Sequence, residues 1–185
     1  MIKPIVAYGN PVLRKVAVDI DKDYPDFQTV ITNLYDTLKS SEGVGLAAPQ
    51  IGLSIRVFVV DANGFAEDYP DAKGFVRTFI NPQIIETKGK EWMFNEGCLS
   101  FPGIFEDVSR PSDVTIRYLD EQFVEHTETF TGICARIIQH EYDHLDGKCF
   151  IDRLNPLKRK MLSGKLNNIL KGKVTTRYKI KFAKI

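Results

Sequence analysis

The stretch from Thr131 to Gly147 constrains this chain more than any other. Apolar side chains recur at Ile133, Cys134, Ile137, Ile138 and Leu145, the spacing of a helix pressed into a core. Thr131 stands where a helix is capped and Gly147 where one ends. The same helix carries His140-Glu141-Tyr142-Asp143-His144, with two of the chain's 3 histidines. A polar group buried without a partner costs free energy, so a fold that buries this helix must supply partners to both imidazoles. Residues four apart share a helical face, and both rings can therefore address a single ion. Glu141 is turned about 100° from His140, placed to sit beside such an ion and move a proton rather than bind. This is the H-E-x-x-H arrangement of hydrolytic metal sites. The plain alternative is a coincidence of charges on a solvated helix.

A chain of 185 residues suits one domain, residues 1–185, with a sizeable core. Its longest apolar runs, such as residues 57–60, are far too short to cross a bilayer, so no membrane association is expected. Residues 1–4 lack the apolar segment of a signal peptide, and the cysteines (98, 134 and 149) are odd in number and unpaired in spacing. The cysteines fit a reducing cytoplasm, and Met1 favours a bacterial setting over an organellar one already trimmed of its presequence. Charge is strongly asymmetric. From Asn155 onward lie 10 of the 25 Lys and Arg residues and none of the 24 acidic ones, leaving the rest of the chain at −9. A basic tail on an acidic body suggests an anionic partner, a solvated basic face being the bland alternative.

Residues 26–40 read as an amphipathic helix with Val30, Ile31, Leu34, Tyr35 and Leu38 on one side. Residues 41–45 break it. Strands are expected at 55–60, 78–86, 114–119 and 123–130, the last two joined as a hairpin through 120–122, with 63–74 a surface loop. Asn155-Pro156 caps and starts a helix whose apolar positions are Leu157, Met161, Leu162, Leu166, Ile169 and Leu170, ending at Gly172. Alternation of Tyr178, Ile180 and Phe182 with lysines predicts a short terminal strand. The fold class is α+β.

Two histidines need a third protein ligand to make a catalytic site. The downstream candidates Asp146, Cys149 and Asp152 crowd the helix end, and the position of a third histidine in a longer protease pattern is Phe150. An ordinary metalloprotease is therefore disfavoured. Upstream, Cys98 sits between Gly97 and a turn-forming Ser-Phe-Pro-Gly, the accessible setting of a ligand thiolate, although an inert thiol fits there too. Cys134 and Cys149 read as small core residues. A non-enzymatic factor with a closed structural zinc site remains as an alternative, but it needs four protein ligands.

Residues 43–50 (G-V-G-L-A-A-P-Q), 96–100 (E-G-C-L-S) and 139–147 (Q-H-E-Y-D-H-L-D-G) together resemble the three signatures of the peptide deformylases, in that family's order. The resemblance implies antiparallel β-sheets around a central helix carrying the H-E-x-x-H motif, followed by a C-terminal helix. It implies hydrolytic release of formate from the N-formylmethionine of newly made polypeptides. By the same resemblance Cys98, His140 and His144 hold one divalent metal ion with water as fourth ligand. Fe2+ comes first, although Zn2+, Ni2+ or Co2+ can occupy such a site. Glu141 is then the general base, and the Gln50 side chain and Leu99 N–H form the oxyanion hole. Gly45 and Gly97 bind the substrate, while Val44, Phe94, Ile133 and Ile137 line the methionine pocket. The basic region 156–184 is the part expected to contact the ribosome, because ribosomal RNA attracts positive charge.

Overall fold

The computed structural model describes residues 1–183. Strand β1 (Ile5–Val6) is followed by helix α1 (Phe27–Ser40), then β2 (Gly45–Ala47) and β3 (Val57–Asp61). Two long strands come next, β4 (Val76–Gly97) and β5 (Phe105–Leu119), then β6 (Glu125–Thr131) and helix α2 (Gly132–Leu145). The chain continues with α3 (Pro156–Met161), α4 (Ser163–Leu170) and β7 (Ile180–Lys181). Strands β2 to β6 form one antiparallel sheet in chain order, and β1 pairs in parallel with β7. The architecture is α+β, as the sequence predicts.

Period-2 alternation in β3 explains how the sheet serves two layers. Phe58 and Val60 face α2 and join Ile133, Ile137 and Ile138, while Val57 and Val59 face α1 and join Val30, Ile31, Leu34 and Leu38. Each such side chain contributes about 2 kcal/mol on leaving water. The helix carrying the histidines is thus held against the sheet by its apolar residues. It ends at Gly147, whose φ of +69° and whose approach to the Arg14 carbonyl leave no room for a Cβ. Thr131 occupies the N-cap position but makes no side-chain cap bond.

Several elements differ from expectation. Strands β4 and β5 run well past the expected 78–86 and 114–119, because they leave the core as a mostly exposed ribbon that hydrophobic alternation does not mark. Their register slips at three irregularities, between Ile80 and Gln83, Ile84 and Glu86, and Lys88 and Glu91. The tight hairpin expected at 120–122 is a wider turn in which Asp120 N–H donates to the Val124 carbonyl and Phe123 has φ +59°. The single helix expected from 156 is two. Asn155 caps α3 by accepting from Lys158 N–H at 2.8 Å, but the Ser163-Gly164 pair follows a break at Leu162. Only Leu162, Leu166 and Ile169 reach the core, leaving Leu157 and Met161 70% and 75% exposed. Strand β7 lies where alternation places it. Lys184 of the basic region falls outside the described residues. Among those described, no helix is long and apolar enough to cross a membrane.

Candidate active site and metal centre

Three elements bring the expected donors together. The sequence at 97–104 turns sharply after β4, and this turn delivers Cys98 to the buried face of α2. Its Sγ lies 3.3 Å from His144 Nε2, and donor atoms of Cys98, His140 and His144 all lie within 4.8 Å of one another. Asp146 instead pairs with Arg56, Asp152 pairs with Arg14, and Cys149 is packed in the core with Phe101 and Phe150. One thiol and two imidazoles form a donor set suited to a single divalent transition ion. Among the described residues the cluster has three donors, one short of a closed structural site.

A buried ionic network orients His140, whereas His144 Nδ1 is buried without a hydrogen-bond partner. His140 Nδ1 is 2.8 Å from Glu96 Oε2, which leaves Nε2 as that ring's remaining donor atom. Glu96 also accepts from Arg110 at 2.7 and 3.0 Å and from Arg136 at 2.8 Å. Arg110, 0% exposed, reaches on to Asp143 at 2.7 Å, and Arg153 closes on Asp143 with two bonds of 2.7 Å. Burial pushes the Glu96 carboxyl upward, but hydrogen bonds from His140 and Arg110 prevail and hold it well below the usual carboxylate range. Asp143 is likewise lowered against its burial by Arg153 and Arg110. Burial, with the neighbouring His140, lowers His144 to about 3, so this imidazole is neutral as a ligand must be.

The Glu141 carboxyl stands outside this network. Burial raises its carboxyl to about 7 against the pull of His140 and Arg110, and its Oε2 has no hydrogen-bond partner. Gly45 lies so close that a Cβ there would stand 2.5 Å from Glu141 Oε1. Short strand β2 makes this approach, and the 3-10 turn Ala48–Ile51 that follows presents Gln50. Gln50 Oε1 accepts from Ala47 N–H at 2.8 Å, which turns the amide nitrogen toward Ser100 Oγ (3.3 Å) and Cys98 Sγ (3.5 Å).

All the expected site residues apart from His144 line one cleft of about 920 Å³. Val44, Phe94, Ile133 and Ile137 form an apolar wall, joined by Phe65 from the expected loop at 63–74. Phe65 packs edge-on against Phe94 at 5.8 Å. Sequence reasoning gave no role to Phe65, Arg110, Arg136 or Ser100, nor to residues 175–178, which also line the cleft. Arg110 carried one usable signal, a charged residue between the apolar positions of a strand.

Comparison with known proteins agrees with this geometry. The sequence model of the family described as polypeptide deformylase matches residues 2–160. The chain is 52% identical to the peptide deformylase of Christiangramia forsetii, with 98% of this chain and 96% of that protein covered. It is 53% identical to the peptide deformylase of Flavobacterium johnsoniae, covering 99% and 97% respectively. The crystal structure of a peptide deformylase from Legionella pneumophila superposes with a TM-score of 0.82 at 38% identity, covering 94% of this chain and 98% of that one. That of Thermotoga maritima gives 0.76 at 36% identity, covering 84% and 99%. On the family match and on this full-length identity, the chain belongs to the polypeptide deformylase family.

Proposed function

We propose that the chain hydrolyses the N-formyl group of the initiator methionine of newly synthesised polypeptides, with Glu141 as the proton-transferring base. The supporting observation is the buried, unpartnered Glu141 carboxylate beside the convergent Cys98, His140 and His144. A divalent ion held by those three residues supplies Lewis acidity, which lowers the pKa of a water molecule from near 16 toward about 7. Glu141 takes the proton as water adds to the formyl carbon, an effect of about 10²–10⁴ in rate. Gln50 Nε2 and the Leu99 N–H donate to the oxygen that gains charge. Glu141 then returns a proton to the departing nitrogen as the carbon–nitrogen bond breaks, leaving formate and a free amino terminus. Val44, Phe94, Ile133 and Ile137 hold the methionine side chain, and Gly45 and Gly97 lie along the peptide backbone. A formyl carbon carries only hydrogen, so the close approach of Gly45 to Glu141 favours it over the bulkier carbonyl of an internal peptide bond.

We assign Fe2+ as the working ion, ahead of Zn2+, Ni2+ and Co2+, on family resemblance rather than affinity, since the affinity order favours nickel and cobalt over iron. Metal analysis of protein prepared without oxygen tests this, and activity undiminished by air argues against iron. We assign the reaction to the cytoplasm and the basic region 156–184 to ribosome contact. In its support, α3 exposes Leu157 and Met161 beside Lys158, Arg159 and Lys160.

The deciding experiment measures formate release from formyl-Met-Ala-Ser by wild type and Glu141→Gln. Wild type is expected to turn over, and the variant to keep its metal while losing at least 10²-fold in rate. A fully active variant removes the base, and an inactive wild type removes the reading.

A further inference from the structure

Residues 98–100 connect a metal-ligand candidate to the two proposed oxyanion donors, and their three carbonyls are held by three different parts of the chain. The Cys98 carbonyl accepts from Phe101 N–H at 2.8 Å and the Ser100 carbonyl from Tyr8 N–H at 2.8 Å. The Leu99 carbonyl accepts from the Tyr178 hydroxyl at 2.7 Å. Only this middle bond comes from a side chain, and it comes from 79 residues away. Among the described residues the Leu99 N–H itself donates to nothing, and Gln50 leans on Ser100 Oγ in the same turn.

The tail is built to deliver that hydroxyl. After α4, residues 175–178 line the cleft, and β7 then pairs with β1. Ile5 N–H donates to the Lys179 carbonyl at 2.8 Å, fixing the residue next to Tyr178. Two residues beyond β1, Tyr8 holds Ser100. The segment at residues 5–8 thus ties the tail and the turn at 98–100 to one support. Burial pushes the Tyr178 phenol up to about 12, so it remains a donor across the working pH range.

We propose that Tyr178 is a positioning residue for deformylation: its hydroxyl holds the Leu99 carbonyl and so fixes the Leu99–Ser100 peptide, which links the Leu99 N–H, carried on the preceding Cys98–Leu99 peptide, to the Ser100 hydroxyl on which Gln50 leans. This rests on the proposed function above. A turn loosened at Leu99 loses donor alignment in the transition state while ground-state binding in the apolar pocket persists, so the effect belongs in kcat.

Full-length Tyr178→Phe, loaded with metal, removes only the oxygen. One neutral hydrogen bond transmitted to the donors corresponds to a fall in kcat of about five- to tenfold, with KM for a formyl-Met peptide unchanged. Hydrogen exchange of a fragment covering residues 98–104 in the zinc-loaded protein is expected to quicken, and exchange in α2 to stay as it is. Ile180→Ala weakens the same strand but keeps the hydroxyl, and is expected to lower the melting temperature without changing kcat. Unchanged kcat in Tyr178→Phe, or an equal loss of kcat in Ile180→Ala, overturns the proposal. An inactive wild type defeats the functional reading instead, and the exchange experiment then still decides whether Tyr178 holds the turn.

Discussion

Glu141 shows how one residue is set apart by its surroundings. Its neighbours Glu96 and Asp143 are equally buried but are paired with arginine, so they remain charged. Glu141 has no such partner and its carboxyl rises from 4.5 to about 7. In the metal-free protein the folded state therefore holds this proton more tightly than the unfolded chain does. Its contribution to stability is complete below about pH 4.5 and is lost as pH rises through about 7, a swing of about 3 kcal/mol. Metal-free Glu141→Gln is thus expected to gain about that much relative to wild type between pH 4.5 and 8, measured by urea unfolding at both values. Gln50→Ala deletes one proposed oxyanion donor and is expected to reduce kcat on the order of 10²-fold with the fold intact. Gly45→Ala pushes a methyl group into Glu141, and circular dichroism is expected to stay native while formate release collapses.

At the level of elements, helix α2 reads as apolar along most of its length yet carries a polar cluster inward. Arg110 makes this tolerable by crossing from β5 to bond Glu96 at the end of β4 and Asp143 on α2. Two strands and a helix are pinned through one guanidinium. Arg110→Met leaves two buried carboxylates with fewer partners, and denaturant unfolding is expected to register a loss of about 3–5 kcal/mol. The same substitution loosens the support of His140, so metal affinity is expected to fall about 10- to 100-fold in a competition titration. The failure of one continuous C-terminal helix belongs to this scale too. Apolar spacing from Leu157 to Leu170 is helical throughout, but the core receives only its second half, and a Ser-Gly pair lets the first half turn away.

For the whole molecule, charge and chain course separate the two ends of the basic region. Helix α3 presents basic and apolar groups outward, whereas residues 175–178 are committed to the cleft. Binding to ribosomes through α3 is expected to weaken steeply between 50 and 200 mM salt, values typical of phosphate-contacting proteins, and to vanish when Lys158, Arg159 and Lys160 become glutamine. Salt-independent sedimentation with ribosomes refutes that contact. By itself the sequence determined the helix of the two histidines, its end at Gly147, the buried segments of the inner strands β3, β4 and β5, and the three motifs that meet in the site. Those features are written in local spacing and residue type, which need no knowledge of distant neighbours. Only the tertiary structure decided that Glu96 is the partner of His140, that Arg110 neutralises it, that Phe65 completes the apolar wall and that Tyr178 reaches Leu99. Each of these joins residues far apart in the chain, and a contact of that kind depends on how the sheet, helices and tail pack, which no local pattern encodes.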